Sequence, residues 1–93
     1  MAIKTKSEIE ISGDVFIRTV TFSYTGTVTA VSDDWIALAD AAVIYDTGRF
    51  ADAMKSGELS EVEPYPNGQT VLIARGGIID VTEWPHDLPR TQK

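Results

Sequence analysis

The amino-acid sequence predicts an all-β fold: a small, strongly bent, five-stranded antiparallel barrel with a short helical insertion between its third and fourth strands. Three observations predict it. Apolar and polar residues alternate with period two through residues 3–11 and again through 15–31, the pattern of half-buried strands. Gly26 interrupts the apolar face of the longest β-rich run, and glycine inside a strand marks a sharp bend or a close backbone approach. The chain is 93 residues long without cysteine, so one undisulfided core must suffice, near the lower size limit for a single domain. Residues 1–93 are read as that one domain.

Each element follows from local pattern. Residues 3–11 place Ile3, Thr5, Ser7, Ile9 and Ile11 on one face and Lys4, Lys6, Glu8 and Glu10 on the other, a strand near a sheet edge. Ser12-Gly13-Asp14 is a hairpin turn signal. Residues 15–31 form one long β-rich run, with Val20, Phe22, Tyr24, Val28 and Ala30 on one face and a threonine-rich opposite face. Ser32-Asp33-Asp34 turns the chain, and residues 35–45 make the third strand. Asp46-Thr47-Gly48 breaks the pattern, and a helix is expected within about 47–56. Asp46 or Thr47 would cap it, Phe50 and Met54 would form its packing face, and Ser56-Gly57 would stop it. Residues 58–68, with Pro64, Pro66 and Asn67-Gly68, read as loop and turn. Residues 69–74 and 77–82 are short apolar strands around Arg75-Gly76, and 83–93 is a proline-punctuated tail.

Composition narrows the chemistry. Without cysteine there is no disulfide framework, thiol nucleophile or zinc–thiolate site, and with His86 as the single histidine a histidine metal site would need several copies of the chain. No metal or cofactor is expected. No apolar run approaches the ~20 residues of a transmembrane helix, and the opening Met-Ala-Ile-Lys-Thr-Lys lacks a signal-peptide core. A cytoplasmic, non-membrane protein is expected. The formal net charge is −6, and residues 31–63 carry all of it: Asp33, Asp34, Asp40, Asp46, Asp52, Glu58, Glu61 and Glu63 stand against Arg49 and Lys55. That stretch reads as a solvated face, or as a rim for a basic protein partner. It argues against loose binding to nucleic acid. No phosphate-cradling glycine loop, nucleophile elbow or Cys/His pair occurs, so the chain is read as non-enzymatic.

Two segments together resemble the Sm/LSm (Hfq-like) superfamily, most of all its small cyanophage-encoded members. Residues 24–41 contain Gly26, then Val28, the acidic turn Asp33-Asp34, and an apolar strand ending in Leu38-Ala39-Asp40-Ala41, similar to the first Sm motif. Val71-Leu72-Ile73-Ala74-Arg75-Gly76-Gly77-Ile78-Ile79-Asp80-Val81 is similar to the second. The resemblance implies an Sm-like (SH3-like) barrel assembled into a homo-oligomeric ring by pairing of the fourth strand with the fifth strand of the next copy. It also implies single-stranded RNA held at the pore by the loops that here contain Asp33, Asp34, Trp35, Arg75 and Gly76. The sequence departs from the family in three places. Aspartates occupy the turn where asparagine is usual, a strand pattern replaces the N-terminal helix, and the variable loop is long and acidic.

Within that expectation Arg75 is either a pore-lining donor to a base or phosphate, or one half of an inter-subunit pair with Asp33, Asp34 or Asp80. Asp34 either accepts from a base edge or orients Arg75. Trp35 is a stacking platform, or core and interface. The alternative to an RNA-binding ring is a structural or adaptor ring without nucleic acid, its acidic 33–63 region docking a partner. A remote third reading is an aspartic-protease-like homodimer through Asp46-Thr47-Gly48. The helix-like sequence after Gly48 and the short remainder of the chain weigh against it.

Overall fold

The computed structural model describes residues 11–93 and shows a mostly antiparallel sheet with one short helix. In chain order the elements are β1 (Asp14–Thr19), β2 (Ser23–Val31), β3 (Trp35–Asp46), α1 (Phe50–Ser56), β4 (Glu61–Pro64), β5 (Val71–Ala74) and β6 (Ile78–Glu83), with a single 3-10 turn, Arg75–Gly77, joining β5 to β6. The pairing order is β4-β3-β2-β1-β6, and β5 also pairs with β3.

The spine of this arrangement is β3. One edge pairs with β2 along its length; the other is shared, Trp35–Leu38 with β5 and Ala42–Asp46 with β4. The change of partner falls at Asp40, whose φ of 51° is left-handed. Thr27 pairs with Ala39 but Thr25 pairs with Ala42, so β3 carries one extra residue there, a bulge. An inserted residue reverses side-chain parity. Before the bulge Ile36 and Leu38 enter the first core; after it Ala41 does so, while Ala42 and Ile44 turn to a second core. Gly26 lies across from this bend, where an added Cβ would sit 3.1 Å from both Leu38 Cβ and the Ala39 carbonyl oxygen. The close backbone approach expected at Gly26 is present.

The sheet therefore has a core on each side. Val15, Ile17, Ile36, Leu38, Val71 and Ile73 fill one side, and Ile11, Tyr24 and Val81 pack against them. Phe16, Ala42, Ile44, Ala53, Leu59, Val62 and Trp84 form the second core, covered by α1 and the C-terminal segment. This explains why three consecutive residues of β1, Val15, Phe16 and Ile17, are all fully buried. At about 1.5–3 kcal/mol per fully buried large apolar side chain, both cores contribute substantially.

Several expectations need correction. The described residues alone hold six strands, where four of the expected five fall: the 15–31 run divides in two, and β4 lies inside the expected 58–68 loop. Val62 is driven into the second core while Glu61 and Glu63 stay exposed, a period-two pattern that Pro64 and Pro66 obscure in the sequence. Among the described residues no pairing joins β5 to β6, so the sheet is open at those edges rather than a closed five-stranded barrel. The 15–31 run is two strands: Thr19 N–H and Oγ1 both bond the Phe22 carbonyl (3.1 and 2.6 Å), closing a turn that leaves Val20 and Phe22 exposed. Helix α1 buries Ala53 and packs Met54 against the second core, while Phe50, 42% exposed, touches Phe16 edge-on. Its N-cap is Arg49, without a side-chain cap. The Asp46 carboxylate instead accepts from Gly48 N–H (2.8 Å), a local turn bond. Gly57, at φ 80°, ends α1 as expected.

The segment after β6 is not a loose tail. Trp84 stacks on Phe16 at 5.6 Å, and His86 Nε2 hydrogen-bonds the Met54 carbonyl (2.7 Å) near the end of α1. Arg90 Nη1 donates to the Ala41 carbonyl (3.0 Å), and the N–H and C=O of Lys93 pair with those of Val62 on β4. Both edges of β1 are occupied, by β2 and β6. The strand expected over 3–11 lies outside the described residues except for Ile11.

Candidate functional site

The Ser32–Trp35 turn is built by a serine. Ser32 Oγ accepts from the N–H groups of Asp34 (3.3 Å) and Trp35 (3.1 Å), while Ser32 N–H donates to the Trp35 carbonyl (2.9 Å). Pairing of Trp35 with Ala74 then sets Arg75 beside this turn. Arg75 N–H donates to the Asp34 carbonyl (2.9 Å), and Arg75 Nη1 donates to the Ser32 carbonyl (2.6 Å). Two loops far apart in sequence are thus hydrogen-bonded to each other, and all five sequence-predicted residues, Asp33, Asp34, Trp35, Arg75 and Gly76, lie in one neighbourhood.

Within the chain, the backbone takes part in orienting Arg75: the carbonyl oxygens of Ser32 and Asp34 both accept from it. Trp35 is 45% exposed, and its register partner Ala74 immediately precedes the half-buried Arg75. An added Cβ at Gly76 or Gly77 would meet nothing within 4 Å, and neither residue has positive φ, so neither fold sterics nor backbone conformation demands glycine there. The surface is chemically a cation, an exposed indole, two exposed carboxylates and an unobstructed backbone.

A second charged group escaped sequence reasoning. Arg18 Nε lies 3.0 Å from each Asp80 oxygen, Arg18 Nη2 also bonds Asp80, and the guanidinium sits 5.1 Å from the Phe50 ring centroid. The hydrogen bond from Arg18 holds the Asp80 carboxyl below its ordinary range, and the same bond and charge raise Arg18. The two are cross-strand partners on β1 and β6, a relation no local pattern announces. Arg75 and Asp80 line one shallow groove of about 250 Å³ with Ile11, Ile36, Ile78 and Val81. Burial raises the Tyr65 hydroxyl.

The acidic 31–63 stretch does not fold into one patch. Asp33 and Asp34 stand at the start of β3, Asp46 and its register partner Glu61 at the end. Among the described residues no group of three metal-ligating side chains converges, and no helix is long and apolar enough to cross a membrane. No protein-family model, curated protein or solved structure matches this chain.

Proposed function

We propose that the chain is a non-enzymatic, Sm-like ring protein that holds single-stranded RNA at the Ser32–Trp35 and Arg75–Gly77 loops. The observation that carries this reading is the hydrogen-bonded convergence of those two loops, with Trp35 and Arg75 side by side. An exposed indole suits base stacking, worth about 1–3 kcal/mol per base, and a guanidinium suits a base edge or phosphate. The Gly76-Gly77 backbone leaves room for a strand to approach. The strand order, with β6 on β1 and a 3-10 turn between β5 and β6, is compatible with a bent Sm-like barrel.

Ring formation has a physical motive. The β4 edge meets the chain's own Lys93, whereas the outer edges of β5 and β6 pair with no described strand and present Leu72 and Ile79 at 56% and 61% exposure. Head-to-tail pairing of those edges that closes on itself removes both. A structural or adaptor ring is the second reading, favoured by the carboxylates of Asp33 and Asp34 in the same turn as Arg75. Titration of labelled oligo-U and oligo-A at two salt concentrations separates the two. RNA binding gives saturable, salt-sensitive association that Arg75→Ala abolishes. No saturable binding in wild type sinks the RNA reading and leaves the adaptor ring.

A further inference from the structure

Between β4 and β5 the chain turns through Pro66-Asn67-Gly68, closed by Gln69 N–H donating to the Pro66 carbonyl (3.2 Å). Asn67 is exposed. Gly68 has φ 82°, an added Cβ there would meet nothing within 4 Å, and none of the described hydrogen bonds uses its N–H. Onto this turn the C-terminal segment delivers Arg90. Its Nη1 donates to the Ala41 carbonyl (3.0 Å), and its Nη2 donates both to the Tyr65 carbonyl (2.9 Å) and to Asn67 Oδ1 (2.7 Å). Two fixed carbonyls therefore aim a cation at the oxygen of a side-chain amide that precedes an unhindered glycine.

We propose that Asn67 is a site of spontaneous deamidation assisted by Arg90. Hydroxide removes the Gly68 N–H proton, and that nitrogen attacks Asn67 Cγ. The new C–N bond places negative charge on Oδ1, where the Arg90 Nη2 donor stabilises it. The carbonyl re-forms, the bond to the amide nitrogen breaks, and the nitrogen leaves as ammonia with protons from water. Water then opens the succinimide at either carbonyl, giving aspartate or isoaspartate; the net change is one water consumed and one ammonia released. The aspartate product is a carboxylate already in reach of Arg90 and converts the hydrogen bond into an ion pair. The isoaspartate product adds a methylene to the main chain, lengthens the turn into β5 and moves the side-chain oxygens away from Arg90. The Arg90 clasp on β3 and Tyr65 is thus coupled to the age of the chain.

The test follows the intact folded protein at mildly alkaline pH by mass spectrometry, with peptide mapping that separates the two products. A parallel sample is unfolded in urea. The expected result is loss of ammonia at Asn67 in the folded chain at least as fast as in the unfolded one, and several-fold slower in a folded Arg90→Lys variant. Asn67→Gln, which retains the amide but could cyclise only through a far slower six-membered ring, should abolish it. An Asn67 more slowly lost in the folded than in the unfolded chain, or an Arg90→Lys rate equal to wild type in protein shown folded by circular dichroism, would overturn the proposal.

Discussion

Single residues reveal where this fold is under tension. Among the described residues the Thr25 hydroxyl is buried without a hydrogen-bond partner. Thr25 lies opposite Phe16 on β1 and Ala42 on β3, both in the second core, where a hydroxyl finds only hydrocarbon. An unsatisfied buried polar group costs about 1–3 kcal/mol, and valine has nearly the same shape without it. Thr25→Val should therefore raise stability by about 1 kcal/mol. The measurement is the urea midpoint at unchanged m-value; an unchanged or lowered midpoint would mean the hydroxyl is satisfied in solution. The opposite holds at Gly26, where backbone and a fully buried leucine already stand at the limit of approach. Gly26→Ala should destabilise by about 1–3 kcal/mol through overpacking.

At the scale of elements, the contact between β1 and β6 has a pH signature. The folded-state pKa of Asp80 lies below the unfolded value of about 4, held there by Arg18. Its contribution to stability is thus fully present above the unfolded pKa and is lost as pH falls through the folded one. Asp80→Asn should be less stable than wild type near neutrality, with the gap narrowing as the solution is acidified below about pH 4. Chemical denaturation across that range checks it, and a gap independent of pH would show that the ion pair does not supply the difference. Element α1 has a different dependence. With seven residues it cannot persist by propensity alone. It is held by Ala53 in the second core, by the left-handed Gly57, and by His86 at the Met54 carbonyl.

At the scale of the whole molecule assembly is testable, because the outer edges of β5 and β6 pair with no strand among the described residues. Leu72 on β5 and Ile79 on β6 are exposed and contribute to neither core. A Leu72→Lys or Ile79→Lys chain should fold with stability within about 0.5 kcal/mol of wild type. If head-to-tail edge pairing builds a ring, either substitution should reduce the mass in native mass spectrometry to that of a single chain. A wild-type protein that is monomeric at micromolar concentration would remove the ring altogether.

The sequence by itself determined the β-rich character of 15–45, the close backbone approach at Gly26, the turn at Ser32-Asp33-Asp34, the helix stop at Gly57 and the two short strands flanking Arg75-Gly76. All rest on interactions within a few residues, which spacing and side-chain type encode directly. The gathering of Asp33, Asp34, Trp35, Arg75 and Gly76 was anticipated through family resemblance, but backbone carbonyls as the partners of Arg75 were not. Only the tertiary structure decided the second core, the strand hidden among prolines at Glu61–Pro64, the Arg18–Asp80 pair and the docking of residues 84–93. Each of these joins groups distant along the chain. Trp84, His86 and Arg90 read locally as a tail because their partners, Phe16, Met54 and Ala41, are brought near only when the sheet bends at Asp40 and offers a second face to cover.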